Sequence, residues 1–393
     1  MLQAKNEAGK FITPSLLPKE KLEKIRKTQF YCPTCNGPVI LRAGPKTIPH
    51  FAHRAHGNCP TLHTGESHYH KQAKLLLYKW LHTQSFREIY LEKYIPTIQQ
   101  RPDILFKTER SRVAIEFQQV TTSTEEISKR NSGFTKEGIF PLWILGESLL
   151  QTYDSYRKTI SLSFFQQQFI QNYLPQGPTQ LIYFCPYKKR FTIIYDLLFT
   201  NQQRTLAKCR KIPLKQATLR SLFPRCFFPR NTLLSLWYKE KKTFRTSPHR
   251  VRGKEFQFRK WLYKNHLHVE QLPAIIHLPI RLQYIMEVPL WHWQTKLVLK
   301  LLHPLPKISQ ITLADCLSLL EGMVHPKRKE QLPQLVEEYF QYLIELKILK
   351  QIDRTTWRKV RPIRFFTYIE ESLRADRLLL HYLRQNSYTY MKS

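Results

Sequence analysis

The run Arg112-Val113-Ala114-Ile115-Glu116-Phe117-Gln118 limits this chain's folding options more than any other. Side chains alternate across a strand, so Val113, Ile115 and Phe117 are expected on one layer and Glu116 with Gln118 on the other. Just upstream stands Arg101-Pro102-Asp103-Ile104-Leu105-Phe106, separated from it by the polar turn Lys107 to Ser111. If the two runs pair as a hairpin, Asp103 at the start of one strand approaches Glu116 near the end of the next. Carboxylates that close repel each other and are tolerated when a divalent cation sits between them. Magnesium or manganese held by Asp103 and Glu116 would polarise a phosphodiester and acidify a bound water, as metal-assisted hydrolysis requires. A surface hairpin with solvated charges is the alternative.

The flanking pattern supplies a scaffold for such a hairpin. Glu66 to His82 carries Ala73, Leu75, Leu76, Leu77, Trp80 and Leu81 at helical spacing, with Thr64 or Gly65 as cap. Strand-like runs follow at Ile89 to Ile95, Asp103 to Phe106, Arg112 to Val120 and Pro141 to Leu145. Between the last two, Thr124 to Arg130 reads as a helix, with capping chemistry in Thr121 to Thr124 and Glu125 and Glu126 in its first turn. Helix, three strands, helix, strand describes an α/β layer in which helices flank a mixed sheet. Beyond Leu150 the pattern is mostly helical, with Leu313 to Leu320 and Leu332 to Leu349 the clearest amphipathic pieces. Leu181 to Cys185 and Phe191 to Leu198 interrupt it as strands. The expected division is 1–62, 63–150 and 151–393, in keeping with a length of about 150 residues per domain.

Residues Tyr31 to Cys59 are rich in Cys, His, Gly and Pro and lack apolar periodicity, which suits a small metal-organised module. Cys32-Pro33-Thr34-Cys35 is a CxxC knuckle, followed by His50, His53, His56 and Cys59. Two thiolates on a tight turn with two further N or S ligands make the closed shell of structural zinc, and the best set is Cys32, Cys35, His53 and Cys59. His50 is the contender for the imidazole position. A redox role for the CxxC would call for a thioredoxin-like βαβ setting that the sequence lacks. The other cysteines, Cys185, Cys209, Cys226 and Cys316, stand far apart and are read as buried small hydrophobes, without a disulfide framework.

The partner is indicated by charge. Lys and Arg number 63 against 29 Asp and Glu, for a formal charge of +34 in a chain whose 42% hydrophobic content is that of a folded protein. Nucleic acid is the expected polyanion, because phosphate neutralisation releases counterions, and an anionic membrane surface is the competitor. The segment Arg204 to Lys264 concentrates 18 Lys and Arg against Glu240 and Glu255, interleaved with aromatics. A positive groove with aromatic faces suits single-stranded nucleic acid. No run reaches the ~18 apolar residues of a membrane-spanning helix, and Met1 to Lys10 has no apolar signal core, so a cytoplasmic protein without membrane insertion is expected.

Taken together, Tyr31-Cys32-Pro33-Thr34-Cys35, His50-Phe51-Ala52-His53, Glu66-Ser67-x-x-His70 with Lys74, Pro102-Asp103 and Ile115-Glu116-Phe117-Gln118 resemble the competence protein CoiA family. Arg130 followed by Phe140-Pro141-Leu142-Trp143-Ile144-Leu145-Gly146 completes the likeness. Its central part looks like the PD-(D/E)xK nucleases. The resemblance implies a restriction-endonuclease-like mixed sheet, a zinc-ribbon-like module before it and a basic, mostly helical region after it. It also implies processing of imported DNA during transformation, in company with recombination proteins. Carried over, Asp103 and Glu116 hold the metal, Glu66 helps to position it, and Gln118 stands where the superfamily has lysine. A neutral amide orients water but supplies no cation. Lys74, four residues after His70 on one helix face, is the candidate substitute, and His70 is either a base or a structural hydrogen-bonder. A binding protein that keeps the nuclease fold without the reaction is the alternative, and an RNA-processing nuclease is a third.

Overall fold

A computed structural model describes residues 1–53, 59, 66–174, 177–246 and 251–386. The chain divides into two units: Met1–Leu150 with Leu181–Ile194 and Cys209–Pro224, and Gln151–Gln180 with Tyr195–Lys208 and Arg225–Ser393.

The first unit opens with β1 (Ala4–Asn6), β2 (Phe11–Ile12), α1 (Lys19–Lys24), β3 (Phe30–Tyr31), β4 (Pro38–Arg42) and β5 (His50–His53), in sheet order β2-β1-β3-β4-β5. Its core is Ala4, Phe30, Cys32, Val39, Phe51 and Cys59, too few residues to hold strands this short without a further constraint. The knuckle supplies one. Asn36 takes a left-handed φ of 54°, Asn36 N donates to Cys32 O and Cys32 N donates to Gly37 O. The amides of Thr34 and Gly37 point at the sulfurs of Cys32 and Cys35, both at 3.4 Å. Cys32 Sγ lies 3.9 Å from Cys59 Sγ and Cys35 Sγ 3.3 Å from His53 Nε2, and all four donor atoms fall within 4.8 Å of one another. Zinc with Zn–S of about 2.3 Å separates tetrahedral sulfurs by about 3.8 Å, so this Cys3His set fits a metal such as zinc. His50 instead donates through Nδ1 to Ile48 O at 2.8 Å. His56, Thr64 and Gly65 lie outside the described residues.

Next come α2 (His68–His82), β6 (Arg87–Leu91), β7 (Ile104–Lys107), β8 (Arg112–Gln118), α3 (Thr124–Lys136) and β9 (Ile139–Gly146), in the expected element order. Ser67 caps α2 by accepting from His70 N at 3.1 Å, so Glu66 stands just ahead of the helix rather than in it. Ser123 caps α3 in the same way from Glu126 N, and the helix runs six residues past Arg130. Gly133 inside it is a packing choice: a Cβ there would lie 2.2 Å from Gln100 Nε2. β7 and β8 pair antiparallel with Ile104 opposite Ile115, and β8 and β9 pair parallel along all of β8.

The sheet does not stop near Leu150. After β10 (Thr159–Ser161) and α4 (Phe164–Gln167), the strands β11 (Gln180–Cys185), β12 (Arg190–Phe199) and β13 (Arg204–Pro213) complete the order β10-β13-β12-β11-β9-β8-β7-β6. β13 falls in the segment read only as basic, because its Arg204, Lys208, Arg210 and Lys211 take the half-buried and exposed positions of a strand buried at Thr205, Leu206 and Ala207.

In the second unit, α5 (Arg230–Thr246), α6 (Gly253–Lys264), α7 (Leu290–Leu297), α8 (Leu313–Leu320), α9 (Leu332–Glu345) and α10 (Ile369–Gln385) surround Trp237, Trp293, Tyr339 and Trp357. A sheet of β14 (Gln310–Thr312), β15 (Leu349–Gln351) and β16 (Thr356–Lys359), ordered β14-β16-β15, was not anticipated because three- and four-residue strands carry little alternation. Cys185 and Cys316 are buried as expected. Cys209 is half-buried and Cys226 exposed, since both sit among the charged positions of the basic segment. No helix among the described residues is long and apolar enough to cross a membrane.

If a zinc ion organises the first sheet, purified protein carries one equivalent, and Cys35→Ser lowers that content and the melting temperature together. Metal analysis and calorimetry check this. Full stability without zinc would contradict it.

A candidate metal and phosphodiester site

α2 presents Ala73, Lys74, Leu77, Trp80 and Leu81 to the interior, so a lysine occupies a position whose helical neighbours are apolar. The Lys74 ammonium is buried, with the side chain 1% exposed, and meets Glu66 Oε1 at 2.6 Å, Glu92 Oε1 at 2.5 Å and Asp103 Oδ1 at 3.4 Å. Burial works against its charge, but Glu66, Glu92 and Asp103 outweigh burial and hold its pKa above the usual lysine range. Burial likewise raises Glu92 and Asp103, and both are nonetheless held well below the carboxylate range. Lys74 and Arg101 act on Glu92, while His70, Lys74 and the Phe117 amide act on Asp103. The second Glu92 oxygen accepts from Leu2 N at 2.7 Å, which joins the N-terminal sheet to this cluster.

His70, one turn before Lys74, places Nε2 3.3 Å from both oxygens of Asp103 and its ring against Phe117. Burial lowers its pKa, but Asp103 reverses that and the net shift is upward. Phe117 N donates to Asp103 Oδ2 at 2.9 Å. Asp103 is thus fixed by helix and sheet at once.

The donor atoms of Glu66, His70 and Asp103 lie within 4.8 Å of one another, and Glu66 Oε2 is buried with no hydrogen-bond partner. The carboxylates of Glu66, Glu92 and Asp103 share the Lys74 ammonium, and Arg101 and the N-terminal ammonium act on Glu92. A buried carboxylate oxygen without a hydrogen-bond partner, beside further O and N ligand atoms, fits a divalent cation. The imidazole suits manganese better than magnesium.

Glu116 is placed differently. The alternation that sets Phe117 against His70 turns Glu116 to the layer of α3, where it is 5% exposed and ion-paired with Arg130 Nη2. Arg130 also donates to Arg101 O at 3.2 Å. Burial and the neighbouring Asp103 charge push the Glu116 carboxyl up to about 7 despite Arg130. Asp103 and Glu116 are ladder neighbours, as the hairpin reading expects, yet their side chains engage different helices. Gln118 turns its amide to Val120 O at 2.6 Å. Of the sequence candidates, Glu66, His70, Lys74 and Asp103 come together, whereas Glu116, near enough to feel the Asp103 charge, pairs with Arg130 and Gln118 turns to Val120.

Sequence reasoning missed Glu92 and the role of Arg130. The strand ends at Leu91, whereas Glu92 lies inside the expected run Ile89 to Ile95, where it reads as ordinary surface alternation. Its left-handed φ of 51°, which swings the carboxylate inward, has no signal in the sequence.

Family models described as the N-terminal, nuclease-like and C-terminal domains of competence protein CoiA match residues 15–62, 66–226 and 234–373, in that order. The competence protein CoiA of Bacillus subtilis (strain 168) is 29% identical over 373 residues, covering 92% of this chain and 98% of that protein. No solved structure gives a significant match. The nuclease-like match contains every residue of the buried cluster, and with all three domains present in sequence the chain belongs to the competence protein CoiA family.

Proposed function

We propose that this competence protein processes DNA by metal-assisted phosphodiester hydrolysis at the cluster of Glu66, His70, Lys74 and Asp103, acting on imported strands as they are recombined. The observation that carries the reading is the buried Lys74 ammonium beside the Glu66, His70 and Asp103 donor set, because it restores the cation that Gln118 fails to provide. Glu66, His70 and Asp103 would hold the divalent ion, which supplies Lewis-acid polarisation of the phosphate and an acidified water. The amide of Phe117 and the imidazole of His70 keep Asp103 ionised and oriented. Lys74 neutralises part of the carboxylate charge, its three donors directed at Glu66, Glu92 and Asp103.

A second reading, a DNA-binding recombination mediator that keeps the fold without the reaction, is favoured by one observation. Arg130 occupies Glu116, the residue expected to share the metal with Asp103. The two readings differ in what Glu116 is for: a further ligand that joins Glu66, His70 and Asp103 once it leaves Arg130, or an anchor for α3.

Three outcomes are expected. With manganese or magnesium, purified protein nicks single-stranded or branched DNA, and Asp103→Ala lowers the rate at least ~100-fold, as loss of a principal metal ligand does. Wild-type activity in that variant would reject the site, and absent cleavage with intact DNA binding and normal transformation by Glu116→Gln would establish the mediator.

Metal affinity, followed by calorimetry, strengthens with rising pH. His70 has a raised pKa and binds metal only when neutral, so affinity gains up to about tenfold per pH unit while the imidazolium is being titrated and then levels off. A flat profile would remove His70 from the ligand set. Lys74→Met leaves three buried carboxylates facing one another and should cost ~3–5 kcal/mol in urea unfolding.

A further inference from the structure

The second unit contains a cavity of about 1000 Å³ far removed in sequence from Glu66 and Asp103. Five cations line it, Arg157, Arg204, Lys239, Arg252 and Arg259, against the carboxylates of Glu240 and Glu255. Both acids are already engaged. Glu240 accepts two hydrogen bonds from Arg204 at 2.9 and 3.0 Å, and Glu255 accepts from Arg259, Trp291 Nε1 and His292 Nε2. Arg157 has only an exposed contact with Asp154 at 3.8 Å, which contributes little. Arg157, Lys239 and Arg252 therefore leave the wall positive. Arg252 is also the N-cap residue of α6 and makes no side-chain cap, so the positive end of that helix begins at the same wall.

The aromatic residues lie at two depths. Tyr156 and Phe164 are 82% and 59% exposed, large rings left in water, and Lys239 Nζ lies 5.5 Å from the centre of the Tyr156 ring. Deeper, His277 stacks on Phe244 with centroids 4.7 Å apart and planes 7° apart, and Trp291 lies 5.5 Å away. His277 is 1% exposed and holds a left-handed φ of 62°, a strained conformation for a residue with a Cβ. Its Nε2 faces Thr200 O at 3.2 Å and therefore donates, which leaves Nδ1 as a buried acceptor with no hydrogen-bond partner.

We infer that this cavity is a binding site for unpaired nucleotides, separate from the metal site, in which the exposed aromatic faces of Tyr156 and Phe164 take bases and Arg157, Lys239 and Arg252 take phosphates. A duplex keeps its base faces stacked inside and offers no ring to Tyr156 or Phe164. An acidic peptide would satisfy the cations but not the rings. The inference rests on the reading that the chain's polyanion is nucleic acid, and not on hydrolysis.

The test uses the full chain with no divalent metal added, so that cleavage is scored separately. Fluorescence anisotropy measures binding of short oligo(dT) and oligo(rU), and 5-iodouracil versions are photocrosslinked and the attachment sites mapped by mass spectrometry. Crosslinks at Tyr156, Phe164 or Trp291 are expected. Tyr156→Ala with Phe164→Ala should weaken binding by roughly tenfold or more, as loss of base stacking does, while Tyr156→Phe binds like the unaltered chain. Arg252→Gln should flatten the salt dependence. Preference for one of the two oligonucleotides through these residues names the source of the ligand. Crosslinks confined to other residues, unchanged binding in the double variant, or equal displacement of the oligonucleotide by polyglutamate would each overturn the inference.

Discussion

A single ammonium group organises the first unit. Lys74 reaches from α2 to Glu66 ahead of that helix, to Glu92 after β6 and to Asp103 before β7, so one buried charge joins three separate stretches of chain. Burying an unpaired lysine is prohibitively costly, and the same holds for each carboxylate. The four groups are tolerable only as a set. That mutual dependence keeps polar chemistry inside an otherwise apolar layer, and it draws in the N-terminal sheet through Leu2 N and Glu92.

The arrangement separates two kinds of carboxylate. Asp103 is surrounded by donors and stays ionised, whereas Glu116, across the hairpin from it, is pushed up to about 7 by burial and by Asp103 itself. Neighbouring acids with divergent proton affinities give the sheet one permanent anion and one that titrates near neutrality. Arg130 is the counterweight on the second.

Much of this was legible in sequence. The alternation of Val113, Ile115 and Phe117 against Glu116 placed the hairpin, and the one-turn spacing of His70 and Lys74 put both on a face of α2. The knuckle and its later ligands were legible because thiolate and imidazole spacing follows from the coordination shell. Backbone geometry was less so. Glu92 enters the cluster beside a left-handed backbone position, and Glu116 meets Arg130 because the face of β8 opposite Phe117 packs on α3, a tertiary pairing that local pattern does not name. Of the strands after Leu150, β11 and β12 were recognised singly and β10 and β13 were not, and membership of one sheet with β9 is a long-range pairing that local pattern does not encode.

The bond from Phe117 N to Asp103 Oδ2 ties a main-chain donor of one strand to a side chain at the start of its partner. The two strands are joined by the short loop closed by Thr108 and Ser111, with Lys107 opposite Arg112. Gaining or losing one residue in that loop would reverse the facing of β8, bringing Glu116 toward α2 and carrying Phe117 to the far layer. Loop length here acts as a gauge for the charge pattern, so relatives sharing this cluster should vary this loop in composition far more freely than in length.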